Sequence, residues 1–296
     1  MKRSSKRAKA GLLKRKKPLP LAGAFFMRYC GGMLDRNPQN MQRAIGTSEV
    51  QFEAKGLSRL YQSGCAKVLL PNTYGRTAEA VIINTSGGVT GGDRLAFSGH
   101  CGADAALCIT SQAAERVYRA ATGHAEISNR LTLGERARLD WLPQETILFE
   151  GSQLKRQLNV SLAESARLLA LETIVLGRTA AGETLREVSL NDQWRVRRAG
   201  KLVFADGLRF SGLPGNSRAT FGPNRALATL LYVAPDAEAR LPQARSLLTG
   251  CEAAASAWDG LLSVRLIAAD LFLLRQALIP FLIAFRGEDL PRVWHM

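Results

Sequence analysis

The chain has 296 residues, of which 46% are hydrophobic, and a formal net charge of +15. That apolar content excludes disorder of the whole chain, and the length suffices for one large core or two small ones. The charge is concentrated at one end: Met1 to Lys17 holds nine of the forty Lys and Arg and no acid, so the remainder carries +6.

In chain order, residues 1–42 read as a basic, disordered extension and residues 43–296 as a β-rich domain. A basic run of this kind is usually a solvated arm, with nucleic acid or an anionic surface as its natural partner. No base-reading module accompanies it, so the reading is of a chain that binds neither nucleic acid nor membrane. "PLPLAGAFFM" follows the arm, but two prolines and the lack of a small-residue cleavage site argue against an export signal. Five cysteines (Cys30, Cys65, Cys101, Cys108, Cys251) are scattered without a C-x-x-C pair and suit a reducing cytoplasm. With only three histidines, a zinc site of ordinary composition is not expected.

Ser86-Gly-Gly-Val-Thr-Gly-Gly-Asp93 follows a β-branched run. A phosphate cradle would need a helix mouth and a lysine, whereas "RLAFSGH" after it alternates as a strand does. The glycines are read as supplying positive φ or close backbone approach, which leaves Asp93 as the residue with chemistry to offer.

The middle of the chain repeats. "LTLGERARLDWLPQETILF" and "VSLAESARLLALETIVLG" share a pattern that ends in Glu-Thr-Ile. Ala137 and Ala166 are 29 residues apart and Ala105 lies 32 before Ala137, while Glu145 and Glu172 are 27 apart. A period near thirty with short alternating segments predicts stacked β units, each burying its apolar face on the next. "WRVRRAGKLVFADGLRFSG" predicts a hairpin turning at Ala-Gly. From about residue 225 a small α/β portion is expected: strands in "RALATLLYVAP" and "LLSVRLIAAD", helices in "DAEARLPQARSLLTG" and "DLFLLRQALIPFLIAFRG". Asp270, Arg275, Gln276 and Pro280 make this last run a helix lying on the protein, not a membrane span. The fold class is therefore mainly β, layered or solenoid-like, with a small C-terminal α/β portion.

No nucleophile elbow, no zinc-protease motif and no Cys beside a His with a plausible orienting acid appears. Asp93, Glu145, Glu172 and Asp206 stand as acids in apolar strand contexts, where burial requires an arginine, a proton, water or a metal ion. Arg94, Arg119, Arg178 and Arg209 are the expected partners. An alternative reading is a carbohydrate-acting β-solenoid enzyme with paired carboxylates roughly 5 to 10 Å apart. Its aromatic platforms are missing from a chain with 7% aromatic residues.

"NTSGGVTGGDRL", "TSQAAERVYRA", "LDWLPQETILFEG", "LLALETIVLGR" followed by "GE", and the closing "LPRVW" together resemble the urease accessory protein UreD family, called UreH in some bacteria. The resemblance runs from about Tyr61 to the C-terminus. Residues 1–42 fall outside it, as a start codon assigned too far upstream would explain. It implies a mainly β, non-enzymatic scaffold that binds UreF and, through it, the GTPase UreG, on the urease apoprotein. It also implies help in placing nickel at the urease active site through an internal passage lined partly by acids. Glu172 and Asp206 match acidic positions of that passage, and Asp93 and Glu145 occupy acid positions of the family motifs. No cofactor is expected to be stably bound, and nickel(II) only in transit. Thr110-Ser111-Gln112 and Tyr118-Arg119-Ala120 depart slightly from the family's usual Thr-Thr-Gln and Tyr-Arg-Ser.

Overall fold

The computed structural model describes residues 42–74, 77–178, 182–183, 185–215, 217 and 220–295. The basic arm, the apolar stretch after it and Cys30 lie outside the described residues. No described helix is long and apolar enough to cross a membrane.

Among the described residues, seventeen strands follow one another. The first seven are β1 (Ile45–Glu53), β2 (Gly56–Gly64), β3 (Ala66–Leu69), β4 (Ala78–Asn84), β5 (Arg94–Cys101), β6 (Ala106–Ser111) and β7 (Glu115–Val117). The repeated middle supplies β8 (Ala125–Leu133), β9 (Arg138–Leu142), β10 (Thr146–Leu148), β11 (Ser152–Leu162) and β12 (Arg167–Leu176). Then come β13 (Val188–Arg198), β14 (Lys201–Ser211), β15 (Ala226–Val233), helix α1 (Leu241–Leu247), β16 (Glu252–Trp258), β17 (Leu261–Ala268) and helix α2 (Leu271–Arg286).

They form two sheets. The first has the order β14-β13-β11-β8-β5-β1-β2, and the second β16-β17-β15-β12-β9-β6-β4-β3. Within the coil β5, β8, β11 and β13 stack in parallel in one sheet, and β4, β6, β9 and β12 in the other. The short strands β7 and β10 make a third, narrow side, with β10 parallel to both β7 and β12. The chain thus winds through successive turns of a flattened β-solenoid, closed at its two ends by antiparallel pairs.

The predicted repeat is real. Arg138 donates its backbone N–H to Ala105 O at 2.9 Å and Arg167 to Ala137 O at 2.8 Å, so Ala105, Ala137 and Ala166 stack as buried residues in three successive coils. The Glu-Thr-Ile correspondence, by contrast, is out of register. Thr146 pairs with Ile174, which sets Glu145 opposite Thr173 and not opposite Glu172. Because alternate strand residues face opposite sides, the two glutamates project from opposite faces of the second sheet.

Burial follows the layers. In β11 the alternation puts Leu154, Leu158 and Val160 inward and Lys155, Gln157 and Asn159 outward, because the first sheet has a solvated outer face. β12 is buried on both faces, all but Arg167, because the second sheet also carries the helices. One core cluster, including Leu131, Leu139, Leu158 and Leu168, fills the space between the sheets. Another packs Leu171, Leu230 and Val264 against Leu278, Phe281 and Phe285 of α2. Burying each such side chain contributes roughly 1.5–3 kcal/mol. Asp270 caps α2 by accepting Leu273 N–H at 2.8 Å, and Gly287 ends it at φ 73°. The β13–β14 hairpin turns at Ala199 and Gly200, with φ of 46° and 80°, as the sequence predicts.

Candidate functional site

The alternation that builds β11, β12 and β13 also carries charge inward. Arg156 lies between Leu154 and Leu158 on the inner face of β11, Asp192 between Leu190 and Trp194 on that of β13, and Glu172 between Ala170 and Ile174 on β12. All three are buried between the sheets. Arg156 donates from Nε to Asp192 Oδ1 at 3.0 Å and from Nη2 to Asp192 Oδ2 at 2.6 Å. The same Nη2 lies 2.8 Å from Glu172 Oε2, and Nη1 donates to Thr146 Oγ1 at 2.9 Å. Glu172 also accepts the indole N–H of Trp141 at 3.3 Å and that of Trp194 at 3.1 Å.

This cluster sets one guanidinium between two carboxyl groups. Burial raises the Glu172 carboxyl to about 7, against the pull of Arg156 and the two indoles. Burial alone would lower the Arg156 guanidinium, yet Asp192 and Glu172 hold it above its ordinary value.

Two cavities meet at the cluster. The larger, about 320 Å³, is bordered by Ser48, Asn84, Asn129, Trp141, Glu115 and Thr146, and reaches the surface at the exposed Gln112, Ala113 and Arg116. Ser48 presents to it a buried hydroxyl with no hydrogen-bond partner among the described residues. Glu115 accepts Asn84 Nδ2–H at 3.1 Å, and burial pushes its carboxyl up to about 7. The smaller cavity, about 20 Å³, is bordered by Asp192, Trp194, Asp206, Gly207 and Thr229. Asp206 also borders it and is tied to Arg265 of β17.

The structure distributes the four acids named from the sequence among different settings. Glu172 and Asp206 both border the smaller cavity. Glu145 faces the other way, toward α2, where Arg275 Nη1 lies 3.1 Å from its Oε2. Asp93 accepts the backbone N–H of Ala44 and that of Thr90, each at 2.8 Å, and so pins the glycine loop to the start of β1. Neither Glu145 nor Asp93 borders either cavity. The expected arginine partners are also corrected. Arg94, Arg119 and Arg178 pair with Glu126, Glu150 and Glu183, while the partners of Glu172, Asp206 and Glu145 are Arg156, Arg265 and Arg275. Coil stacking and helix docking bring these together from distant sequence positions, which local inspection cannot see. Among the described residues, no three His, Cys, Asp or Glu side chains gather where they could hold a metal ion.

The glycine stretch is structural. A Cβ at Gly88 (φ 147°) would collide with the Tyr118 ring and Arg116 O, and one at Gly91 with Thr122 O. The stretch instead docks on the next coil, with Val89 N–H donating to Arg116 O and Tyr118 N–H to Val89 O, each at 2.8 Å. The motifs "LPQET" and "LPRVW" also meet. Arg275 bridges Gln144 Oε1 and Trp294 O, each at 2.9 Å, and Trp294 Nε1 donates to Leu142 O at 3.2 Å.

Fold and site together define a two-layered β-solenoid protein whose buried Arg156, Glu172 and Asp192 cluster lies where two cavities meet. The family model described as "UreD urease accessory protein" matches residues 44–295. A urease accessory protein UreD of Rhizobium etli CFN 42 is 50% identical over 244 residues, covering 81% of this chain and 89% of the relative. That of Rhizobium leguminosarum bv. trifolii WSM2304 is 50% identical over 272 residues, 86% of this chain and all of the relative. The one from Xanthobacter autotrophicus Py2 is 48% identical over 262 residues, 86% of this chain and 90% of the relative. The chain belongs to the UreD urease accessory protein family.

Proposed function

We propose that this chain is a non-enzymatic maturation factor of urease that works in the cytoplasm and forms part of the route by which nickel(II) reaches the apoprotein. It binds UreF, through UreF the GTPase UreG, and docks on the urease apoprotein. Family membership supports the role in urease maturation. The observation that carries the nickel route is the meeting of two cavities at Glu172, with Asp206 also bordering the smaller one.

The chemistry suits transit. Nickel(II) moving between sites needs few, exchangeable oxygen ligands, and a cage of histidine and cysteine would trap it. Glu172 and Asp206 each offer a single carboxylate, already in contact with an arginine that can take it back. The glycosidase alternative needs two carboxyl groups facing a sugar across a cleft. Glu172 is instead wholly buried and held by a guanidinium and two indoles.

The test is co-expression of the urease structural and accessory genes with and without this chain, followed by nickel content and urease activity. Both are expected to fall when the chain is omitted, and equal values in the two cultures would overturn the assignment.

A further inference from the structure

The two cavities have only Arg156 and Glu172 as common lining residues, so this ion pair forms the partition between them. We propose that Arg156 is the gate of the route: a divalent cation advances by taking Glu172 from the guanidinium, which stays on Asp192, and the retained positive charge keeps the cation's stay short. This rests on the nickel-transit reading above.

The hydrogen bonds are arranged for such an exchange. Arg156 gives Asp192 two parallel bonds, at 3.0 and 2.6 Å, but meets Glu172 through Nη2 alone at 2.8 Å. A guanidinium fork on one carboxylate is the stronger of these arrangements. When Glu172 is released, Arg156 keeps both Asp192 contacts and Thr146 Oγ1, and Glu172 keeps the indole donors of Trp141 and Trp194. No buried polar group is stranded, which is the condition for a low barrier inside a protein. Arginine cannot leave by deprotonation, so the gate works by displacement alone.

The geometry also says what the guanidinium prevents. Asp192 Oδ2 and Glu172 Oε2 both lie within 2.8 Å of the same Nη2 atom. Remove that nitrogen, and two buried carboxylate oxygens converge on one vacated point, a ready chelate for a divalent cation. Arg156 therefore converts a trap into a passage.

The test titrates nickel chloride into the purified full-length chain, read by equilibrium dialysis and by tryptophan emission, because Trp141 and Trp194 touch Glu172. Arg156→Gln is expected to bind nickel at least about tenfold more tightly than the unmodified chain, with stronger quenching of emission. The double variant Arg156→Gln/Asp192→Asn removes the pair together and preserves net charge, so it guards against loss of folding. It is expected to bind nickel more tightly than the unmodified chain and less tightly than Arg156→Gln, since nickel then displaces only a proton from Glu172 and finds no second carboxylate beside it. Wild-type nickel affinity in both variants would overturn the gate. A parallel Glu172→Gln arm, scored by nickel delivered to urease, separates the failures. If delivery falls there while the Arg156 variants bind as wild type, the gate alone is wrong; if delivery is unchanged, the transit reading falls with it.

Discussion

Asp192 holds Arg156 through both carboxylate oxygens, at 3.0 and 2.6 Å, in an interior where neither side chain is more than 7% exposed. A buried pair of this kind costs much to break and little to replace, since breaking it strands a charge whereas an apolar pair of similar volume strands none. Asp192→Ala is therefore expected to cost about 3 kcal/mol or more in urea denaturation. Asp192→Leu combined with Arg156→Met should cost clearly less, because Glu172 can then take a proton. Equal losses in the single and double variants would show that the pair does not act as a unit.

The stacked architecture was legible because Ala105, Ala137 and Ala166 carry their spacing in the sequence, and their coils stack in that register. The Glu-Thr-Ile match misled because one residue, not two, is dropped between the pairs Arg138–Arg167 and Thr146–Ile174, and a one-residue slip turns a side chain to the other face. Glu145 thereby faces α2 and not the space between the sheets. Arg156 and Asp192 carry a legible signal, because they occupy inward positions of strictly alternating strands, where a charge has to be paired. Glu115 had a weaker one, an acid in a three-residue strand. The pairing of Glu172 with Arg156 was not legible, since it depends on which coil faces which. Strand β16 was equally hidden, as "EAAASAW" lacks β-branched residues and is drawn into the sheet by antiparallel pairing with β17.

The glycine loop offers a test of why each glycine is there. Gly87 has φ 76° and open space around its missing Cβ, so Gly87→Ala should cost only the left-handed backbone, about 1 kcal/mol. Gly91 has no such φ, but a Cβ there would strike the Thr122 backbone oxygen and approach Gly123 O at 2.8 Å. Backbone atoms cannot rotate away, so Gly91→Ala is expected to cost about 2 kcal/mol or more. Thermal denaturation of the two variants orders them, and a reversed order would count against the docking of this loop on the next coil.

Glu115 links stability to pH. Its carboxyl is raised from 4.5 to about 7 by burial beside the larger cavity, so between those values the folded chain binds a proton that the unfolded chain has lost. The contribution is thus fully present below about pH 4.5 and is lost as pH rises through 7. Glu115→Gln cannot ionise and should be more stable than the parent at pH 8, by an amount on the order of 2 kcal/mol. The difference should shrink toward pH 5. Parallel stability curves for parent and variant across pH 5 to 8 would show that Glu115 does not hold its proton in the folded chain.

Glu172 and Asp206 differ in what their removal breaks, and this separates transit from architecture. Glu172→Gln leaves Arg156 its two bonds to Asp192, so the buried charge is not stranded and the fold should hold. Asp206→Asn breaks an ion pair with an Arg265 side chain that is 55% exposed, worth at most about 1 kcal/mol. Glu172 is buried and Asp206 largely so, with 26% of its side chain exposed, so neither change alters the surface much and capture of UreF and of apo-urease in pull-downs should be unaltered. Each change removes one anionic stop on the proposed route, and a barrier raised by about 1.4 kcal/mol slows passage roughly tenfold. Nickel per urease active site, measured early after nickel addition, is expected to fall in each single variant and further in the double. If the double variant loads urease at the parental rate while still binding UreF, the carboxylates are there for the fold and nickel takes another path.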